Sequence, residues 1–456
     1  MAAPAVKLAA PAAGDPRDLL EDLVRRARKA GADAADAVLF DSASLSFSQR
    51  LGNPEKLERE ESRDLGLRVF IGKRQAIVST TDASAAMLAE LATRAIAMAR
   101  SVPEDPHCGL ADAADLAKDF PTLDMLDATE PATDLLKQRA QIAEDAARAV
   151  PGITNSEGAD ASWSRSKITM VASNGFVGGY ESSRHGLSVS VLAGEGTGME
   201  RDYDYATAVH GADLEDAAAL GRSAGERAVK RLNPRKASTA KVPVIYDPRV
   251  AGGLLGHLAG AVNGAAIARG TSFLKDKLDQ RIFGADVSIV DDPHRPRGLR
   301  SKPFDGEGLA NRRRAVIDKG VLTTWVLDLR SARQLGLKST GHAARGTSSP
   351  PSPALTNLYM EPGRQTPQQM IADVLSGFYV TELIGMGVNG VTGDYSRGAG
   401  GFWIDHGELA YPVSEVTIAG NLMDMFLNLT PADDLKFRYG TDAPTLRVDG
   451  MTVAGT

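Results

Sequence analysis

The side chains able to do chemistry are few and widely spaced. The seven histidines, at positions 107, 185, 210, 257, 294, 342 and 406, all lie more than twenty residues apart. No single helix can therefore present two of them at the i, i+4 spacing of a zinc hydrolase. The single cysteine, Cys108, follows His107 in a stretch rich in Pro, Asp and Gly, with no third group to orient such a pair. A lone cysteine excludes an internal disulfide and any multi-cysteine zinc site, and it fits a reducing compartment. Asp291 and Asp292, with Asp305 and Glu307, make the densest carboxylate cluster, a donor type that hard divalent cations favour. Arg295, Arg297, Arg300 and Lys302 intervene, so a surface ion-pair network is expected there instead. Two S-x-x-K strings, Ser164–Lys167 and Ser272–Lys275, lack the companion motifs of a lysine-activated serine nucleophile. Gly385, Gly387 and Gly390 spell G-x-G-x-x-G after an expected strand. A dinucleotide site needs the third glycine to open a helix whose amino terminus meets the pyrophosphate. The residues that follow, through Gly401, are too glycine-rich for a stable helix. A flexible loop over Gly385–Gly401, structural or peptide-contacting, is expected.

The elements that must position these groups belong to a chain of 456 residues, 43% hydrophobic and 24% charged, long enough for two or three domains. Its formal net charge of −6 gives no general footprint for nucleic acid. The run Arg312–Arg314 reads as a solvated strand start. No apolar run approaches the ~20 residues of a membrane span. The Ala/Pro-rich start lacks an apolar signal region, so a floppy tail and a cytoplasmic location are expected.

Asp15-Pro16 reads as a helix start, with apolar residues at helical spacing behind it. Strands are predicted at Ala37–Ser48, Leu65–Ile71, Gln75–Ser79, Lys167–Ala172, Phe176–Glu181 and His185–Leu192. Helices are predicted near 83–99, 132–150 and 213–232. The Asn233-Pro234 link is read as a hinge between two lobes. Val242–Tyr246 reads as a buried strand leading into a helix that starts at Asp247-Pro248. On that helix Gly252, Gly256, Gly260 and Gly264 recur every four residues and form one slowly winding ridge. Each costs about 1 kcal/mol of helix propensity against alanine, so close approach of another backbone is expected, or else a bare wall to a substrate groove. Hairpin signals dominate the second half, with strands expected at Phe378–Ile384, Gly401–Asp405, Glu408–Tyr411 and Glu415–Ile418. The fold class is therefore α+β in two lobes. A disordered tail covers 1–14, an N-terminal α+β lobe with a mixed or antiparallel sheet covers 15–235, and a mainly antiparallel-β lobe with a few helices covers 236–456.

Longer blocks carry a resemblance. Asp291–Gly308 (DDPHRPRGLRSKPFDGEG), Gly256–Ala261 (GHLAGA), Ala268–Asp276 (ARGTSFLKD) and Gly393–Trp403 (GDYSRGAGGFW) resemble the PmbA/TldD family, in its PmbA (TldE) branch. Val416–Asn421 (VTIAGN), Ala443–Arg447 (APTLR), Gly66–Val69 (GLRV) and Ser79–Asp82 (STTD) fit the same pattern. The resemblance runs from about residue 20 to the carboxyl terminus. It implies a heterodimeric zinc metalloprotease that degrades unfolded or short peptides, in a family first described as modulating DNA gyrase. The TldD-like partner carries H-E-x-x-x-H on a helix and a later cysteine ligand. His257, Leu258 and Val262 occupy the corresponding positions here, and the C-terminal half has no cysteine. The resemblance thus assigns this chain no metal and no catalytic residue, with zinc expected in the partner and His257 expected to be a packed histidine. Gly256, Gly260, Gly398 and Gly400 are the candidate peptide contacts. The alternative is a non-catalytic peptide-binding or regulatory homodimer of the gyrase-modulator type.

Overall fold

The Asp15 carboxylate accepts a hydrogen bond from the Arg17 amide at 2.9 Å and so caps α1 (Pro16–Lys29), where Pro16 needs no partner for its nitrogen. The computed structural model describes residues 15–455, so the tail expected over 1–14 lies outside the described residues. α1 leads into a meander of β1 (Ala34–Arg50), β2 (Asn53–Ile71) and β3 (Arg74–Thr80), closed by α2 (Ala85–Ser101). The same order then recurs as α3 (Thr133–Arg148), β4 (Ile153–Ala172), β5 (Val177–Ala193), β6 (Glu200–Ala208) and α4 (Ala217–Lys230). The two halves meet along β1 and β4, giving one six-stranded antiparallel sheet in the order β3-β2-β1-β4-β5-β6.

Alternation along these strands separates two faces. Ala37 and Leu39 of β1 point to the core under α1 and α2, while Leu45 and Phe47 point to the core under α3 and α4. The intervening residues face the other way. There, cross-strand pairing sets Arg68 beside Asp36, and further along it sets Ser62, Ser42, Ser166 and Ser182 in one row over four strands. Several strands run well past their predicted ends. Leu65–Ile71 is only the end of β2, and the segments predicted at Phe176–Glu181 and His185–Leu192 are one strand, β5. The added part of β2 is polar and exposed on both faces, so hydrophobic runs understate the length of the strands.

The second lobe begins with β7 (Ala240–Tyr246) and α5 (Pro248–Ala261). Its main sheet continues with β8 (Ser376–Ile384), β9 (Asp394–Asp405), β10 (Glu408–Asn421), β11 (Leu429–Pro431) and β12 (Leu446–Ala454), in the order β10-β9-β8-β7-β12-β11. β10 also pairs with β12, so five of these strands close into a small barrel. The β7–β8 pairing is parallel and the others are antiparallel. Val244, Tyr246, Leu258, Phe378 and Ile418 share its core. The architecture is α+β. No helix among the described residues is long and apolar enough to cross a membrane.

The lobes are locked through buried charge. Asp36 is fully buried and accepts from Arg68 Nε at 3.0 Å and from Arg345 Nη1, of the second lobe, at 2.6 Å. Burial alone would raise its pKa, but the Arg345 and Arg68 guanidinium charges outweigh burial and hold the carboxyl below its ordinary range. Beside this clamp Gly66 of β2 has no room for a side chain, since an added Cβ would lie 2.3 Å from the Thr347 carbonyl oxygen. Phe176 and Phe304, with ring centroids 5.0 Å apart, extend the same junction. Removing the carboxylate in Asp36→Ala strands two buried guanidinium groups, and urea titration should show a loss of about 3–5 kcal/mol near neutral pH. Because the folded pKa is depressed, this contribution is complete above the unfolded value of ~3.9 and fades as pH falls through the folded one. Wild type and variant should therefore converge in stability on acidification.

Candidate functional site

The glycine-bearing helix is the natural place to look for a site, because its sequence departs furthest from ordinary helix composition. Asp247 caps α5 by accepting from the Arg249 amide at 3.0 Å, and Pro248 follows. The expected ridge is interrupted: α5 ends at Ala261, and Gly264 opens a separate short helix (Gly264–Ala268) behind an Asn263 cap. The four glycines then divide into two kinds. A Cβ on Gly252 would lie 2.9 Å from the Thr441 carbonyl oxygen, and one on Gly264 would lie 2.5 Å from Leu327 Cδ2. These two are required by close packing. A Cβ on Gly256 or Gly260 would meet nothing within 4 Å, so these two are bare. Both alternatives raised by the ridge are therefore realised, at different positions.

Gly256 and Gly260 form one wall of a cleft of about 310 Å³. Its other walls come from Thr271 and Phe273 after the helix, Met386, Val388 and Gly390 before β9, Arg397 on β9, and Leu422. His257 lies at its edge, with its ring edge-on to Tyr395 at a centroid distance of 5.8 Å. Burial, and secondarily the Arg397 charge, hold the imidazole below its ordinary pKa, so it is neutral at pH 7. His257, expected as a packed histidine, is half-buried with its ring against Tyr395 and also borders the cleft. Phe273, Val388, Arg397 and Leu422 escape sequence reasoning because they are scattered over 150 residues and carry no shared local signal.

Leu258 and Val262 turn the other way. Both are fully buried in the barrel core and offer only hydrocarbon. Of the three positions at which the resemblance places the metal motif of a TldD-like chain, only His257 carries an atom able to bind a metal, so these residues do not fit a zinc ion. Among the described residues no three His, Cys, Asp or Glu side chains are grouped to hold a metal.

The glycine loop is shorter than expected. It ends at Gly393, and β9 carries Gly398 and Gly400 within the sheet, where Gly398 pairs with Ile384 on one side and Thr417 on the other. Gly400 pairs with Glu382. Their backbones are engaged in ladders and are not edges to which another strand adds. A Cβ on Gly398 would press Ile384 Cβ at 3.3 Å. Gly387 needs its glycine for a different reason: an added Cβ would lie 1.7 Å from the Ser396 carbonyl oxygen, where the loop folds back on β9. No helix follows Gly390, consistent with the dismissal of a dinucleotide site.

The carboxylate cluster is interior, which corrects the expectation of a surface network. Asp291, Asp305 and Glu307 are all buried. Asp291 accepts from the Thr356 amide at 2.6 Å, and Asp305 from the amides of Glu307 and Leu309, each at 2.9 Å. Glu307 accepts from the Leu329 amide at 2.8 Å. Burial, reinforced by Asp305, pushes Glu307 up to about 8. Arg297 pairs elsewhere, with Asp124 and Asp213. Two further candidates are structural. Ser272 is buried and donates to the Ala261 carbonyl at 2.6 Å, and burial with the Asp105 charge raises the Cys108 thiol above its ordinary range.

Comparison with known proteins accounts for the whole architecture. Models of the PmbA/TldA metallopeptidases match as domain 1 over residues 35–99, as the central domain over 127–232 and as the C-terminal domain over 239–455. The first two stretches fall on the two halves of the N-terminal sheet. A protein named metalloprotease PmbA from Escherichia coli O157:H7 is 39% identical over 444 residues, covering 96% of this chain and 97% of that one. A PmbA homolog from Haemophilus influenzae is 37% identical over 441 residues, covering 96% of each chain. A candidate modulator of DNA gyrase from Bacteroides thetaiotaomicron superposes with a TM-score of 0.88 at 29% identity, over 96% of this chain and 98% of that one. TldE from Thermococcus kodakarensis shares the fold at a TM-score of 0.86 and 20% identity, over 95% and 99% of the two chains.

Two measurements check this description of the site. Gly256→Ala should raise the unfolding free energy by about 0.5–1 kcal/mol, the helix-propensity gain, whereas Gly264→Ala should lower it because the methyl group collides with Leu327. Between the ordinary glutamate value of 4.5 and about 8, folded Glu307 keeps a proton that the unfolded chain has released. Stability therefore falls as pH rises across that window. Glu307→Gln keeps the acceptor for Leu329 and removes the ionisation, so its melting temperature should drop less than that of the wild type from about pH 5 to pH 8.

Proposed function

The chain belongs to the PmbA/TldD metallopeptidase family, and from that premise we propose that it is the subunit without the metal, paired with a TldD-like subunit that binds zinc. In this reading the complex degrades unfolded or short peptides in the cytoplasm, and this chain lines the chamber through which they reach the partner's zinc. The observation that carries it is the state of Leu258 and Val262. Both are fully buried hydrocarbon at the positions where the family's metal motif puts its general base and second histidine.

The N-terminal sheet supports the reading through its uncovered face. Ser62, Ser42, Ser166 and Ser182 run across four strands, and Ser44 with Ser164 and Ser46 with Ser162 continue along them. A hydroxyl both donates and accepts, so such a face hydrogen-bonds the N–H and C=O groups of an extended chain whatever its side chains. Folded domains keep those groups paired internally and gain nothing from it. Zinc on the partner would polarise the scissile carbonyl and activate water, and the residues of this chain would hold the peptide extended.

The purified chain is expected to hold no zinc and to cleave no peptide. Adding a TldD-like subunit should produce hydrolysis of an unfolded reporter peptide that a chelator abolishes. Hydrolysis by the isolated chain that survives chelation would overturn the reading. Peptide binding without turnover in either preparation would favour the regulatory homodimer.

A further inference from the structure

The cleft beside α5 contains one charge and no answering carboxylate. Arg397 is the only charged side chain among its lining residues. Among the described residues Arg397 makes no ion pair, and its one polar contact is a long 3.5 Å approach of Nε to the Ile384 carbonyl. A partly buried guanidinium that its own protein leaves unpaired is complementary to an anion, most of all to a carboxylate that it can bind through two parallel N–H groups. The remaining surface is apolar: Phe273, Val388 and Leu422 within, and Met386, 93% exposed, at the rim. Methionine is unbranched and adapts to differing apolar partners. The bare backbone at Gly256 and Gly260 leaves space for a main chain to lie against the helix. His257, neutral, adds a donor at the edge. At about 310 Å³ the cleft stands at the small end of ligand cavities and suits a terminal residue better than a long internal segment.

We propose that this cleft binds the carboxyl-terminal residue of a peptide, with its carboxylate on Arg397 and its apolar side chain against Phe273, Val388 and Leu422. The inference rests on the reading of the chain as a peptidase subunit and adds to it a site for a peptide end, separate from the serine face. The main chain of an internal segment and an amidated end carry no charge for Arg397, so the cleft distinguishes a terminal apolar residue from the same residue within a chain.

The test uses the full chain and a fluorescently labelled Ala-Ala-Leu peptide, as the free acid and as the carboxyl amide, with binding read by anisotropy. Caproate as competitor separates a simple carboxylate from a peptide end. The acid should bind about tenfold or more tighter than the amide, and caproate should displace it only weakly. Arg397→Gln should abolish the preference, and Arg397→Lys should keep part of it. Gly256→Leu, at an open helix position that tolerates a side chain, should weaken the acid without lowering the melting temperature. Equal binding of acid and amide, unchanged binding by Arg397→Gln, displacement by caproate as strong as by the peptide, or no binding of the acid would each overturn the proposal. Adding the TldD-like subunit separates the two claims. Partner-dependent hydrolysis with no acid preference removes the cleft proposal alone, whereas acid preference without any hydrolysis removes the peptidase reading and leaves a carboxylate site.

Discussion

Asp36, held between Arg68 and Arg345, is the interaction from which the relation of the two lobes follows. A carboxylate and two guanidinium groups out of water are costly apart and tolerable only together. The triad therefore acts as a register device: it forms only when β1, β2 and the segment carrying Arg345 lie in one arrangement. The close approach of Thr347 to Gly66 and the packing of Phe304 on Phe176 depend on the same placement. Together they cover one end of the sheet's second face and leave the serine-bearing end uncovered. What remains accessible on that sheet is thus decided by a charge contact at its other end.

The N-terminal lobe is built by using one plan twice. Helix, three-strand meander and helix recur, and the two copies join through their first strands. Neither copy could bury both faces alone. Side by side they make a sheet wide enough for four helices on one face, while the other face is shared between the second lobe and open space. What is repeated is the order of elements.

In the second lobe, α5 and the short helix that follows it combine two uses of one residue type. At Gly252 and Gly264 glycine admits a neighbouring chain, and at Gly256 and Gly260 it leaves a groove open. The helix tolerates the loss of propensity because Leu254, Leu255 and Leu258 anchor its other side in the barrel core. The same helix and its cap carry Leu258 and Val262, and their inward turn explains their chemistry. Positions facing a core favour hydrocarbon. His257, on the cleft side, meets no such demand.

Read alone, the sequence determined most element types, the helix starts at Asp15 and Asp247, the two-lobed α+β class and the lack of donor atoms at positions 258 and 262. These are legible because capping, turn chemistry and side-chain identity act within a few residues. Strand length was understated, since the first halves of β2 and β4 carry no clear strand signal until their partners are known. Only the tertiary structure decided that Asp291, Asp305 and Glu307 lie inside, that Gly398 and Gly400 belong to an interior strand, and that Arg397 faces Gly256 across a cleft. Each of these depends on which distant segments become neighbours. That is set by the closure of the barrel and the docking of the lobes, where burial and pairing are satisfied jointly and no local pattern records the outcome.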